Sequence, residues 1–269
     1  MGDMSRLDGK VAVITGAAQG IGEATARLFA ERGVGGLLLT DRQPERLAAV
    51  AESLAALTSV EAVVADLANP AAVEAIIPAA GAAFGRIDIL ANIAGLTDRG
   101  TILDTSVELF DRMFAVNVRA PFLLMQGALR IMIRDGIEGA IVNILSVNAH
   151  GGAPVLSPYS ASKGALATLT KNVANAVLDN RIRVNGINLG WTATPAEHVI
   201  IQRSGQGGPD WLEKAEAERP FGRLIQPVEV ARLIGFLASS ESGVMTGALI
   251  DYDQQVVGIN RVAPKSKAD

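Results

Sequence analysis

Glycines 16, 20 and 22 lie in the stretch TGAAQGIG, between a short apolar run and a helical pattern. Glycines there allow a tight turn and close backbone approach. The helix behind them offers unpaired N–H groups and the positive end of its dipole. The chemistry this suits is pyrophosphate binding. The spacing is G-x-x-x-G-x-G, and it lacks the G-K-S/T ending of a P-loop, which disfavours an NTPase. Asp41 ends the next apolar run, 19 residues past Gly22, where a carboxylate accepts hydrogen bonds from ribose hydroxyls. Its charge repels a 2′-phosphate and so favours NAD. Arg42 follows directly and favours that phosphate, which keeps NADP as the alternative. Asp66 ends the third run, placed either to meet an adenine amino group or to cap the next helix. Far downstream, YSASK spends one of only two tyrosines one helical turn from a lysine. As a plain surface pair, Tyr159 and Lys163 would add about 0.3 kcal/mol.

These residues need a frame. Apolar runs at 10–15, 36–40, 59–66, 87–95, 139–146, 182–188 and 248–252 read as strands. Helical patterns separate them at 21–33, 44–57, 69–85, 105–115, 117–134, 157–179 and 227–239, with Pro78 interrupting the third. Strands apolar on both faces, alternating with helices, predict an α/β fold. Right-handed crossovers then give a doubly wound parallel sheet with helices on both faces. Residues 1–269 read as one domain. Residues 191–222 hold both tryptophans, three prolines and SGQGG, and are expected to form a lid on the ligand side. The tail from about 260 is expected to fray. A net charge of −4 argues against nucleic acid or an anionic membrane as partner. There is no cysteine, and the two histidines lack ligand spacing, so no metal site is expected. The N-terminus shows no apolar leader and no run is long enough to span a bilayer, so the expected location is the cytoplasm.

With NIAG at 92–95, Asn117, Ser146, Tyr159, Lys163, PFGRLIQPVEVARLIGFLAS at 220–239 and TGALIDYD at 246–253, the chain resembles the compact branch of the short-chain dehydrogenase/reductases over residues 7–258. The resemblance implies a Rossmann-type sheet of about seven strands in the order 3-2-1-4-5-6-7. It implies a nicotinamide dinucleotide held by Gly16, Gln19, Gly20, Ile21, Gly22, Asp41, Arg42, Asp66, Leu67, Asn92, Ala94, Gly95, Tyr159, Lys163, Gly190, Thr192 and Thr194. It also implies a catalytic set of Asn117, Ser146, Tyr159 and Lys163, and hydride exchange with an alcohol or ketone carbon. In that family pattern Tyr159 moves the proton, Ser146 orients the substrate oxygen, and Asn117 fixes the lysine through a water. A phenol of ordinary pKa near 10 needs lowering by about 4 kcal/mol to serve as a base near neutrality. One positive charge about 4 Å away supplies about that much, and Lys163 is expected to be that charge.

The sequence departs from the pattern at Ile93, at Leu189 in NLGWTAT, and at DYDQQ (251–255) in place of D-G-G. The last change is expected to alter the close C-terminal turn. Ser146, Asn148, His150, Tyr159 and Trp191 are the candidate substrate contacts. Asn148 and His150 hint at a sugar or polyol, although His150 also reads as ordinary loop surface. The leading function is an NAD-preferring alcohol or sugar dehydrogenase. Its rivals are an NADPH-dependent 3-ketoacyl-type reductase and a non-catalytic cofactor-binding protein. The resemblance further implies a homotetramer or homodimer, with contacts through the helices near 105–134 and 157–179 and the last strand.

Overall fold

In the computed structural model, residues 3–203, 207–208 and 210–257 are described; the tail from 260 lies outside them. Seven parallel strands form one sheet in the order β3-β2-β1-β4-β5-β6-β7. They are β1 (Val11–Thr15), β2 (Gly36–Asp41), β3 (Ser59–Val64), β4 (Ile89–Asn92), β5 (Ala140–Ile144), β6 (Arg183–Leu189) and β7 (Leu249–Tyr252). Between them run α1 (Gly20–Glu31), α2 (Pro44–Leu54), α3 (Pro70–Phe84), α4 (Val107–Phe114), α5 (Ala120–Arg134), α6 (Ser157–Ala176), α7 (Pro195–Arg203), α8 (Trp211–Ala217) and α9 (Pro227–Ala238).

Alternation along each strand builds a core on either face. Ala12, Ile14, Leu37 and Leu39 pack with Phe29 of α1 and Ile234 of α9. Val13 and Leu38 face the other way, onto Ile76 of α3, Leu124 of α5 and Leu166 of α6. Each fully buried leucine or isoleucine stabilises the fold by about 1.5–3 kcal/mol. Strand β3 departs from the two-faced apolar expectation. It is the sheet edge, and Glu61 and Val64 on it are exposed.

Helix α3 runs unbroken through Pro78, against the expected interruption. Pro78 lacks the N–H that would bond the carbonyl of Glu74, and both residues are on the exposed face, where water can take that carbonyl. Helices α4 and α5 join through a π-helical turn, Ala115–Arg119. Pro121, just inside α5, likewise has no N–H for the carbonyl of Asn117. Among the described residues no helix is long and apolar enough to cross a membrane.

Candidate functional site

The C-terminal ends of β1, β2, β4, β5 and β6 gather the candidate residues. Gly16 has φ +69°, and a Cβ on it would lie 3.0 Å from the Ala94 backbone. A Cβ on Gly22 would stand 2.1 Å from the carbonyl oxygen of Gly16. Only glycines let this turn close on itself and on the loop after β4. Thr15 pins that loop, its hydroxyl accepting from the N–H groups of Ile93 (2.9 Å) and Ala94 (3.1 Å). Gln19 precedes α1 without capping it through its side chain, and among the described residues no side chain accepts from the N–H groups of the first turn. That is what an anionic pyrophosphate requires, and the turn fits a dinucleotide.

Asp41 braces the same turn. One carboxylate oxygen accepts from Ala18 N (3.1 Å) and the other from Gln43 N (3.1 Å), and lone pairs remain for a ribose. Arg42 is exposed. Arg46 of α2, which the sequence reading passed over, donates to the side-chain carbonyl of Gln19. Asp66 accepts from Ala68 N (2.9 Å) within a turn, and the cap of α3 is Asn69 instead. Leu67 is buried. Asn92 points into the sheet, donating to Asn143 (2.8 Å), and its own side-chain oxygen is buried without a partner.

Ser146, Tyr159 and Lys163 come together at the end of β5 and the start of α6, all buried. Burial pushes the Tyr159 phenol up to about 12; a hydrogen bond with Ser146 works against this, the charge of Glu197 adds to it and that of Arg99 opposes it. Burial pulls the Lys163 ammonium down to about 8. The ammonium donates to the Ile144 carbonyl at 2.6 Å and lies 5.9 Å from the Tyr159 ring centre. The expected net lowering of the phenol does not result in this geometry, because desolvation outweighs it. Asn117 sits in the π turn, fully buried. Its amide accepts from Leu96 N (2.8 Å) and donates to Leu96 O (2.9 Å) and Ser162 Oγ (3.0 Å). It thus clamps the loop after Gly95. A Cβ on Gly95 would lie 3.4 Å from both the Asn117 oxygen and the Lys163 nitrogen.

Asn148 donates to Ser146 Oγ through its backbone N–H (3.1 Å) and its amide (3.2 Å), so it positions the serine. His150 is turned elsewhere. Its Nε2 lies 3.0 Å from Asp251 and 3.1 Å from the Asn188 amide. Asp251 is drawn in two directions: burial raises its pKa, and hydrogen bonds from His150 and Asn188 outweigh that and hold it low. Gly190 accommodates the altered C-terminal turn, since a Cβ there would meet the Asp253 carboxylate at 2.1 Å. Among the described residues no cluster of three ligating side chains could hold a metal ion.

Of the 191–222 segment, residues 204–206 and 209 lie outside the described residues, and the described part packs α7 and α8 into a small layer. Trp211, Ile201 and Ala215 form its centre together with Leu224 just beyond it, with Trp191 against them. The Trp191 and Trp211 rings stack at 6.1 Å. Trp211 Nε1 donates to His198 Nδ1 at 2.9 Å, and the Gln202 amide lies 2.8 Å from His198 Nε2. Thr194 accepts from Glu197 N (3.1 Å) and so starts α7, while its Cβ lies 3.5 Å from where a Cβ on Gly20 would be. The Thr192 hydroxyl donates to the Gly190 carbonyl at 3.1 Å. Two charged residues outside the sequence expectations act on the phenol electrostatically. Arg99, four residues past Gly95, pairs with Glu197 of α7 at 2.8 Å, their side chains 17% and 13% exposed. Trp191 Nε1 donates to the same Glu197 oxygen at 3.0 Å.

Residues 16–254 match a family model described as enoyl-(acyl carrier protein) reductase. The chain is 38% identical over 249 residues to an uncharacterized oxidoreductase of Thermotoga maritima, covering 92% of this chain and 97% of that one. It is 34% identical over 253 residues to the 3-oxoacyl-(acyl-carrier-protein) reductase FabG of the same organism, covering 94% and 99%. Among solved structures, L-sorbose reductase of Gluconobacter frateurii in complex with NADPH and L-sorbose is 32% identical, with a TM-score of 0.88 over 96% of this chain and 100% of that one.

Proposed function

Because the chain belongs to the short-chain dehydrogenase/reductase family, an oxidoreductase family that works with nicotinamide dinucleotides, we propose that it interconverts a ketone and a secondary alcohol, with Tyr159 as the proton donor to the ketone oxygen. The dinucleotide supplies or takes the hydride. The observation that carries this reading is the Tyr159 phenol, buried together with Ser146 and Lys163. A phenol titrating near 12 keeps its proton at neutral pH, which suits reduction. Ser146, held by Asn148, orients the substrate oxygen. Lys163 and Asn117 hold the floor of the site, and the 191–222 segment is the lid that keeps water from it. Asp41 at the ribose position supports NAD as the preferred dinucleotide. Arg42 and Arg46 keep NADP within reach, and the sorbose reductase was solved with NADPH.

Tyr159→Phe tests the assignment. Turnover should drop below a few per cent of the parent's, while dinucleotide binding, read by fluorescence, stays near the parent value. Retained turnover would remove Tyr159 from the proton step. A 3-ketoacyl-type reductase is the second reading, supported by the likeness to FabG. Assaying ketoses, simple ketones and a 3-ketoacyl thioester with both dinucleotides separates the two.

A further inference from the structure

Near Tyr159 the chain holds an acceptor that neither the candidate catalytic set nor the cofactor cradle uses. Glu197 reaches back from the first turn of α7 toward the β4–α4 loop. Arg99 Nη2 and Trp191 Nε1 both donate to its Oε1, at 2.8 and 3.0 Å. Among the described residues Oε2 accepts no hydrogen bond. Arg99 is engaged by Glu197 and by the Thr97 carbonyl at 2.8 Å. The pair is mostly buried and spans 98 residues of chain. It therefore presents a fixed carboxylate oxygen rather than a mobile surface charge. Its place near the start of α6 follows from the chain: Gly100, next to Arg99, donates to Val155 O (2.9 Å) and accepts from Ser157 N (3.1 Å), two residues before Tyr159, and Thr194 packs on the cofactor turn. Both charges also act on the Tyr159 phenol.

We propose that Glu197 Oε2 accepts a hydrogen bond from a substrate hydroxyl other than the one formed at the reacting carbon, and so selects a neutral, polyhydroxylated carbonyl compound. This rests on the ketone–alcohol reading above and narrows its substrate class. An acceptor-only oxygen offers nothing to a carboxylate or phosphate, and it disfavours a plain acyl chain, which would bury it unpaired. A hydroxyl donating to a carboxylate gains a charge-assisted bond. The polar selection expected of Asn148 and His150 moves to Glu197, because Asn148 is spent on Ser146 and His150 on Asp251.

The test compares Glu197→Gln with the parent on two probes, the ketose L-sorbose and the unfunctionalised cyclohexanone, with NAD(H) and NADP(H) alike. Glutamine keeps an oxygen for Arg99 and Trp191, and dinucleotide fluorescence titration reports whether the site remains assembled. The ratio of kcat/KM for sorbose to that for cyclohexanone should fall about 10- to 100-fold, carried mainly by KM. The alkaline limb of kcat for reduction should also move to lower pH, since a charge that raises the phenol has been removed. An unchanged ratio overturns the proposal, as does an equal loss on both probes, which would make Glu197 only a strut of the lid. Turnover of neither probe by the parent would instead overturn the ketone–alcohol reading, and this inference with it.

Discussion

Asp41 serves two structures at once. Its carboxylate ties the glycine turn to the end of β2 and still has lone pairs for a ribose. Asp41→Asn keeps an acceptor and removes the charge. We expect NAD to bind about tenfold more weakly, as for loss of a charged hydrogen bond, and NADP to bind no worse than in the parent. Calorimetric titration of both dinucleotides checks this; a parent that already prefers NADP contradicts the role given to Asp41. The position of Asp41 was legible because a strand end at a set distance from a glycine turn is a matter of spacing. The pairing of Arg99 with Glu197 was not, because it joins residues 98 apart across a loop and a segment of no regular period. Nor was the direction of the Tyr159 shift. Helix spacing sets Lys163 near the ring, but burial and the carbonyl of Ile144 decide where its charge points.

The π turn is the element that delivers Asn117. Widening the helix at Ala115–Arg119 turns this side chain inward, onto both backbone groups of Leu96. Asn117→Ala deletes these buried bonds and leaves Leu96 unpaired. A loss of about 2–3 kcal/mol in unfolding free energy is expected, with a fall in kcat larger than any rise in KM. Urea unfolding and steady-state kinetics check it, and a variant as stable as the parent would mean the clamp is idle. The sequence placed two helices here, at 105–115 and 117–134, yet a π turn carries no hydrophobic period of its own. Pro78 shows the same limit in reverse. Its period-breaking residue sits on an exposed face, where the helix tolerates it.

Across the whole molecule, Lys163 couples the site to stability. Its ammonium titrates near 10.5 when free and near 8 when buried. Between those values the unfolded chain holds the proton and the folded chain does not, so stability rises with pH from 8 to 10.5. Tyr159 acts the other way at higher pH: its contribution is full below 10 and is lost as pH rises through about 12. Lys163→Met removes the first effect and keeps the second. Between pH 7 and pH 10 the parent should gain about 2–3 kcal/mol on this variant in urea unfolding. A constant difference would show that the ammonium is solvated. The doubly wound parallel sheet was legible, because β-α alternation and crossover handedness leave few topologies, and the family resemblance supplied the strand order. The exposed β3 edge was not, since Ser59–Val64 reads as apolar until its neighbours are known.

The bond between His198 and Trp211 fixes more than a distance. An indole nitrogen can only donate, so His198 Nδ1 must be bare and its single hydrogen must sit on Nε2. The Gln202 group 2.8 Å away must then present its oxygen. The chain Trp211 to His198 to Gln202 therefore has a single direction, running from α8 back into α7.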